Sequence, residues 1–143
     1  MGRMGTKSMK KKKTKRVNPR TDSIIGYKKV VVDDRDYILK LKIPAAAKRV
    51  FPRGLEQKAR AEYCYVLDAW ISGLKTNAYG DTTWKKTKKK YFLHVPYAGP
   101  DTNGYFEYRM GKKIVPHDYD GNGLVECGAG INFFLDIQKA KDY

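Results

Sequence analysis

Asp118-Tyr119-Asp120-Gly121-Asn122-Gly123 sets oxygen-bearing side chains at alternate positions and then a glycine, the opening pattern of a calcium loop. Glu126 falls at the ninth position of that frame, where such loops often bind the ion through water. Ala129, however, stands at the twelfth position in place of the bidentate glutamate, and no helix is predicted on either side. Asp118, Asp120, Asn122 and Glu126 are therefore the one candidate metal set, and the expected structure is a glycine-rich turn between strands.

The remaining chemistry is sparse. His94 and His117 are the only histidines, and no nucleophile accompanies either at a catalytic spacing. His117 with Glu126 is the one acid–base pair on offer; no catalytic residue is assigned and an enzyme is not expected. Cys64 and Cys127 are too few for a disulfide framework and too far apart for a zinc cage. A core thiol is the expectation, with a bridge in an oxidising particle as the alternative. No cofactor is implied.

Charge is the strongest chemical signal. Residues 1–20 contain Arg3, Lys7, Lys10, Lys11, Lys12, Lys13, Lys15, Arg16 and Arg20 and no acid, which supplies +9 of the net +15. The other 123 residues hold 21 basic and 15 acidic groups. A run of that composition has too little apolar surface to offset its ordering entropy, so it reads as an extended arm over residues 1–22. Lysine and arginine neutralise phosphates and release counterions, and DNA or RNA is one partner such an arm would take.

A second basic stretch, Trp84, Lys85, Lys86, Lys88, Lys89, Lys90 and Tyr91, interleaves rings with cations, the combination that stacks on unpaired bases. Rings beside lysines on a strand are more often core. The opening Met1-Gly2-Arg3-Met4-Gly5-Thr6 also fits the loose myristoylation pattern. An acyl chain on Gly2 together with the lysine cluster would hold the protein at an acidic membrane surface.

The ending Glu126-Cys127-Gly128-Ala129-Gly130-Ile131-Asn132-Phe133-Phe134-Leu135 is the most specific segment. With Pro116 to Asp120, Ile38 to Pro44 and Lys58-Ala59-Arg60-Ala61-Glu62, it resembles the small uncharacterised domain at the ends of pentapeptide-repeat proteins of phages, bacteria and large DNA viruses. The resemblance spans roughly residues 27–143. Members usually have histidine at the place of Asn132 and cysteine at that of Ala59. No reaction is established for that family, and no pentapeptide or other fixed-period repeat occurs here.

Elements must now be found to position these residues. At 143 residues there is room for one domain, with eleven Tyr and five Phe to fill a core. No run of about 18 apolar residues is present and the basic start lacks a signal peptide's apolar stretch, so an intracellular, soluble protein is expected. Residues 24–32 and 37–43 read as a hairpin around Asp33-Asp34-Arg35-Asp36. In the second strand Leu39, Leu41 and Ile43 share the core face, while Lys40 and Lys42 face away.

Leu55 to Ala61 reads as one helical turn, Tyr63 to Ile71 as a strand, and Gly73 to Asp81 as loop. Strands follow at Tyr91–Val95, Tyr105–Arg109 and Lys112–Val115. Asp136 caps a terminal helix containing Gln138 to Lys141. Ile131 and Phe133 share a buried face, and Phe134 points the other way toward Ala140 and Tyr143. The expected fold is α+β: an arm over 1–22, then a single, mostly antiparallel β-domain over 23–143 with a short C-terminal helix.

The functional expectation is a non-enzymatic structural protein, a minor capsid component of a large DNA-virus particle. Its partners would be other subunits such as the major capsid protein, its location the virion, and no small-molecule substrate is expected. A nucleic-acid-binding accessory protein and a myristoylated membrane-surface protein are the alternatives.

Overall fold

Strands β1 (Ile24–Val32) and β2 (Arg35–Ile43) form a hairpin in continuous antiparallel register, from Ile24 opposite Ile43 to Val32 opposite Arg35. The computed structural model describes residues 16–76, 82–94, 106–125 and 128–143. Only Asp33 and Asp34 lie between the strands, with φ of 50° and 63°. Two left-handed residues make the tight hairpin whose twist matches that of its strands, and aspartate is among the few residues besides glycine that enter this region readily. Arg35 and Asp36, expected in the turn, are already paired strand residues.

Strand β5 (Cys64–Thr76) pairs with β2 and carries β6 (Thr82–Lys86) along its far side and β9 (Lys113–Ile114) at its start. A register shift between Lys40 and Leu41 bends the pairing, and Leu67 beside it is turned outward and left exposed. The sheet curls into a half-barrel. Gly73 to Thr76, expected in a loop, belong to β5, and residues 77–81 of that expected loop lie outside the described residues.

A second sheet has the order β10-β4-β3, with β3 (Arg49–Val50), β4 (Ala59–Ala61) and β10 (Ile131–Phe133). The helical turn expected over Leu55 to Ala61 is replaced by turns followed by β4. Ala61 sits opposite Arg49 on one side and Ile131 on the other, so pairing on both edges outweighs the helix preference of the local sequence. Strands β7 (Tyr91–His94) and β8 (Phe106–Arg109) pair separately. The first and second sheets meet where Tyr27 and Phe134 exchange backbone hydrogen bonds of 2.7 and 2.8 Å.

The core lies inside this curl. Val30, Leu39, Leu41, Ile43, Val66 and Phe92 are fully buried, and Ile131 and Phe133 join them from β10. Phe133 meets the Phe51 ring edge-on at 5.8 Å and covers Gly26, where a Cβ would stand 2.5 Å from the Phe133 ring. Only glycine leaves room for that ring.

Phe134 points the other way and meets Tyr143 at 5.4 Å. Helix α1 (Ile137–Asp142) is capped as expected, with Gln138 N donating to the Asp136 carboxylate at 2.9 Å. It packs against β1, and Lys29 Nζ ties its last turn down through the Lys141 carbonyl at 3.3 Å. Among the described residues the fold is mostly antiparallel β with this one short helix.

Candidate anion-binding and docking surface

Of the arm cations, Arg16 and Arg20 are described; Arg3, Lys7, Lys10, Lys11, Lys12, Lys13 and Lys15, with Gly2, lie outside the described residues. Arg20 does not behave as arm. Its guanidinium lies 5.5 Å from the Phe51 ring centroid, and residues 18–22 form a turn closed by Thr21 N and Asp22 N donating to the Asn18 carbonyl. Arg49 fixes this turn to the domain. Its guanidinium, 9% exposed, donates to the carbonyls of Pro19, Asp22, Pro44 and Ala47. Residues 18–22, assigned to the arm from charge, are thus hydrogen-bonded to the domain.

The basic-aromatic stretch is divided between two sheets. Trp84, Lys85 and Lys86 belong to β6, the outer strand of the half-barrel; Lys88, Lys89 and Lys90 form the connection; Tyr91 opens β7. Lys85, Lys86, Lys88 and Lys90 are exposed, and Lys86 pairs with Asp68 at 3.3 Å. Lysine on an outer strand discourages pairing with another chain. The rings already carry cations of this chain: Lys141 lies 5.7 Å from the Trp84 centroid, Arg109 4.5 Å from that of Tyr91 and Lys89 5.8 Å from that of Phe92. The stretch presents lysines outward more than open stacking platforms.

The glycine-rich loop holds a cation of its own. Arg60 on β4 is 1% exposed, and its guanidinium donates to the carbonyls of Asp120 at 2.7 Å, Val125 at 2.8 Å and Asn122 at 2.9 Å. The Asp120 carboxylate stands 4.0 Å away. Asp118, Asp120 and Asn122 turn their side-chain oxygens to backbone amides, those of Tyr119, Asn122 and Leu124. Planar guanidinium thus sits where the loop's carbonyls converge, and one side-chain oxygen of each of Asp118, Asp120 and Asn122 already accepts a backbone amide. Among the described residues no group of three or more His, Cys, Asp or Glu could hold a metal. Glu126 and Cys127 lie outside them, and His117 is exposed beside the loop.

Gly128 and Gly130 follow from the same arrangement. A Cβ at Gly128 would stand 2.7 Å from the Arg60 guanidinium carbon. Gly130 has φ of 144° and its Cβ direction runs into the Ala61 carbonyl and the Tyr119 ring at 3.2 Å. The ending motif and the Lys58 to Glu62 block are thereby two halves of one contact: β4 pairs with β10, and its arginine closes the loop before β10. Asn132 lies opposite Arg60, and Ala59, 2% exposed, opposite Phe133.

Sequence reading missed the interior lysine. Lys28 falls in phase with Ile24, Val30 and Val32 and points inward, although part of the residue keeps solvent contact. Its Nζ donates to the Asn132 carbonyl at 3.2 Å, where β10 leaves the β1 edge. Desolvation lowers its pKa to about 8, with the Cys64 thiol pulling the other way. Burial pushes Cys64 up to about 12 and raises Tyr108 well above its ordinary value. The alternation of β1 was the available signal.

Among the described residues, two concavities flank α1. The larger, about 490 Å³, lies between the 52–58 turns and α1 and is lined by Arg53, Lys58, Phe134, Lys139, Asp142 and Tyr143. Lys58 Nζ donates to the Tyr143 hydroxyl at 3.0 Å and rides 5.2 Å from that ring's centroid. The smaller, about 380 Å³, lies across α1 between Lys29, Asp36, Trp84 and Lys141.

Curled antiparallel sheets, arginines that bind backbone and a lysine-rich exterior define a small β-domain of cationic surface. The chain belongs to a family of unknown function (DUF5758), whose model matches residues 14–140. That span includes the Asn18 turn and every strand described. No curated protein and no solved structure matches the chain.

Proposed function

We propose that the protein is a non-enzymatic structural and interaction component of a large assembly, a minor capsid protein of a large DNA-virus particle. The division of its charge carries this reading. Nine cations and no acid precede residue 21, while Arg49 and Arg60 inside the domain are engaged in holding its own backbone. The domain acts as a rigid anchor, and the basic run engages an acidic partner surface, with charge density mattering more than exact geometry.

Ile25 and Leu67 on the outside of the half-barrel, and Leu124 at 91% exposure on the Arg60 loop, are apolar points at which a neighbouring subunit can seat. The viral setting and the kinship with pentapeptide-repeat proteins rest on the resemblance of the ending block. Copurification with a particle after nuclease and detergent treatment tests the reading. Retention supports it, and release into the soluble fraction refutes it.

A second reading, a nucleic-acid accessory protein, is favoured by the exposed Lys85, Lys88 and Lys90. Because Trp84 and Tyr91 are covered by Lys141 and Arg109, contact would run to phosphates more than to bases. Affinity for duplex and single-stranded DNA should then fall steeply with salt, with a slope set by the phosphates engaged. Absence of binding at low salt removes this reading.

A further inference from the structure

Three cations meet in the larger concavity from three separate places: Arg53 in the turn after Phe51, Lys58 just before β4, and Lys139 on α1. Asp142 lies among them, and its Oδ1 already accepts from Gln138 Nε2 at 3.0 Å. Like charges gathered on one concave wall raise its potential, and an anion of more than one charge relieves it best. A phosphate monoester carries about −1.5 to −2 at neutral pH, whereas a carboxylate carries a single charge. Arginine meets phosphate with a planar fork and lysine with a point charge.

At about 490 Å³ the space exceeds what a bare phosphate fills and is of the size that holds organic ligands. Its wall also carries two rings, Phe134 and Tyr143, 5.4 Å apart, with Gln57 beside them. Lys58 joins the two parts, through its hydrogen bond to the Tyr143 hydroxyl and its position over that ring. Cations beside an aromatic wall suit a ligand with a flat ring attached within one sugar's length of its phosphate. We infer that this concavity binds a nucleoside phosphate: Lys58 and Lys139 take the phosphate, Phe134 and the part of Tyr143 that Lys58 leaves exposed take the base, and Asp142 accepts from a sugar hydroxyl or base amine. The site is separate from the basic N-terminal run. A free mononucleotide and the phosphorylated end of a single strand present the same chemistry.

The test is calorimetric titration of the full chain, at fixed ionic strength, with inorganic phosphate, adenosine monophosphate and a 5′-phosphorylated oligothymidylate. The same titrations are made on Lys58→Met and Lys139→Met, which leave the N-terminal cations in place. Adenosine monophosphate should bind at least about tenfold more tightly than phosphate, and each variant should weaken it about tenfold while Tm stays within a few degrees. Lys139, half-buried on the helix, guards against a Lys58 variant that merely disturbs Tyr143. If the oligonucleotide exceeds the mononucleotide by a margin that the variants abolish, the strand end is the ligand. If that margin survives in the variants, it comes from other cations and the free nucleotide is the ligand. Equal affinity for phosphate and mononucleotide, or mononucleotide binding unchanged in both variants, overturns the inference.

Discussion

The guanidinium of Arg60 lies against the bare α-carbon of Gly128, with only 2.7 Å between its central carbon and the place a Cβ would take. Arg60 cannot give way cheaply, because Asp120, Asn122 and Val125 hold it through three carbonyls. Gly128→Ala should therefore lower stability by about 1–3 kcal/mol, as overpacking of a filled site does. Urea unfolding measures it.

Removing the cation should do more harm than crowding it. Arg60→Met leaves the part-buried carbonyls of Asp120 and Val125 without this donor and that of Asn122 with the Val125 amide alone, and an unsatisfied group costs about 1–3 kcal/mol when fully buried. The variant should unfold at markedly lower urea than the parent. Millimolar calcium should leave the parent Tm unchanged, since the Arg60 guanidinium already occupies the point where the loop's carbonyls converge; a rise of several degrees would show a calcium site.

Truncation should separate two parts of the N-terminal cation run. Deleting residues 1–15 should leave Tm unaltered, whereas deleting 1–22 also removes the Pro19 and Asp22 carbonyls bound by Arg49 and the Arg20 contact to Phe51. The longer deletion should lower Tm by several degrees, because Arg49 loses two of the four carbonyls it binds and Phe51 loses the Arg20 contact. Equal stability of the two truncations would contradict the clamp.

Stability should depend on alkaline pH in a defined sense. Lys28 has a folded pKa near 8 against about 10.5 when unfolded, so between these values the unfolded chain binds more protons and stability rises with pH. Cys64 works oppositely: its folded pKa near 12 against about 9 unfolded makes stability fall above pH 9. Denaturation midpoints should therefore rise from pH 8 to 9 and level or decline beyond. Lys28→Met should remove the rise and keep the decline.

Phe133→Ala should be poorly folded. Its ring is 1% exposed, packs on Phe51 and covers Gly26, and truncating such a ring costs about 3–5 kcal/mol.

Where neighbours in sequence are neighbours in space, the fold was legible. Lys40 and Lys42 alternate with Leu39, Leu41 and Ile43 as β2 requires; Asp136 caps its helix; Phe133 and Phe134 part to opposite faces as adjacent strand residues must. Strand β4 was not legible, because its partners come from residues about 70 positions later and its own composition favours helix. Lys28 was hidden by its charge, which suggests solvent, although its phase in β1 places it inside. The concavity was illegible for a similar reason: Arg53, Lys58, Lys139 and Tyr143 converge only after β4 and β10 pair.

An arginine that closes a loop differs from a metal in never leaving. Because Arg60 is covalently part of β4, it has no free concentration, and occupancy of the 118–125 loop follows no binding isotherm. Its order is instead tied to whether β4 has paired with β10, so the loop bearing the exposed Leu124 is set at the moment of folding and carries no later signal.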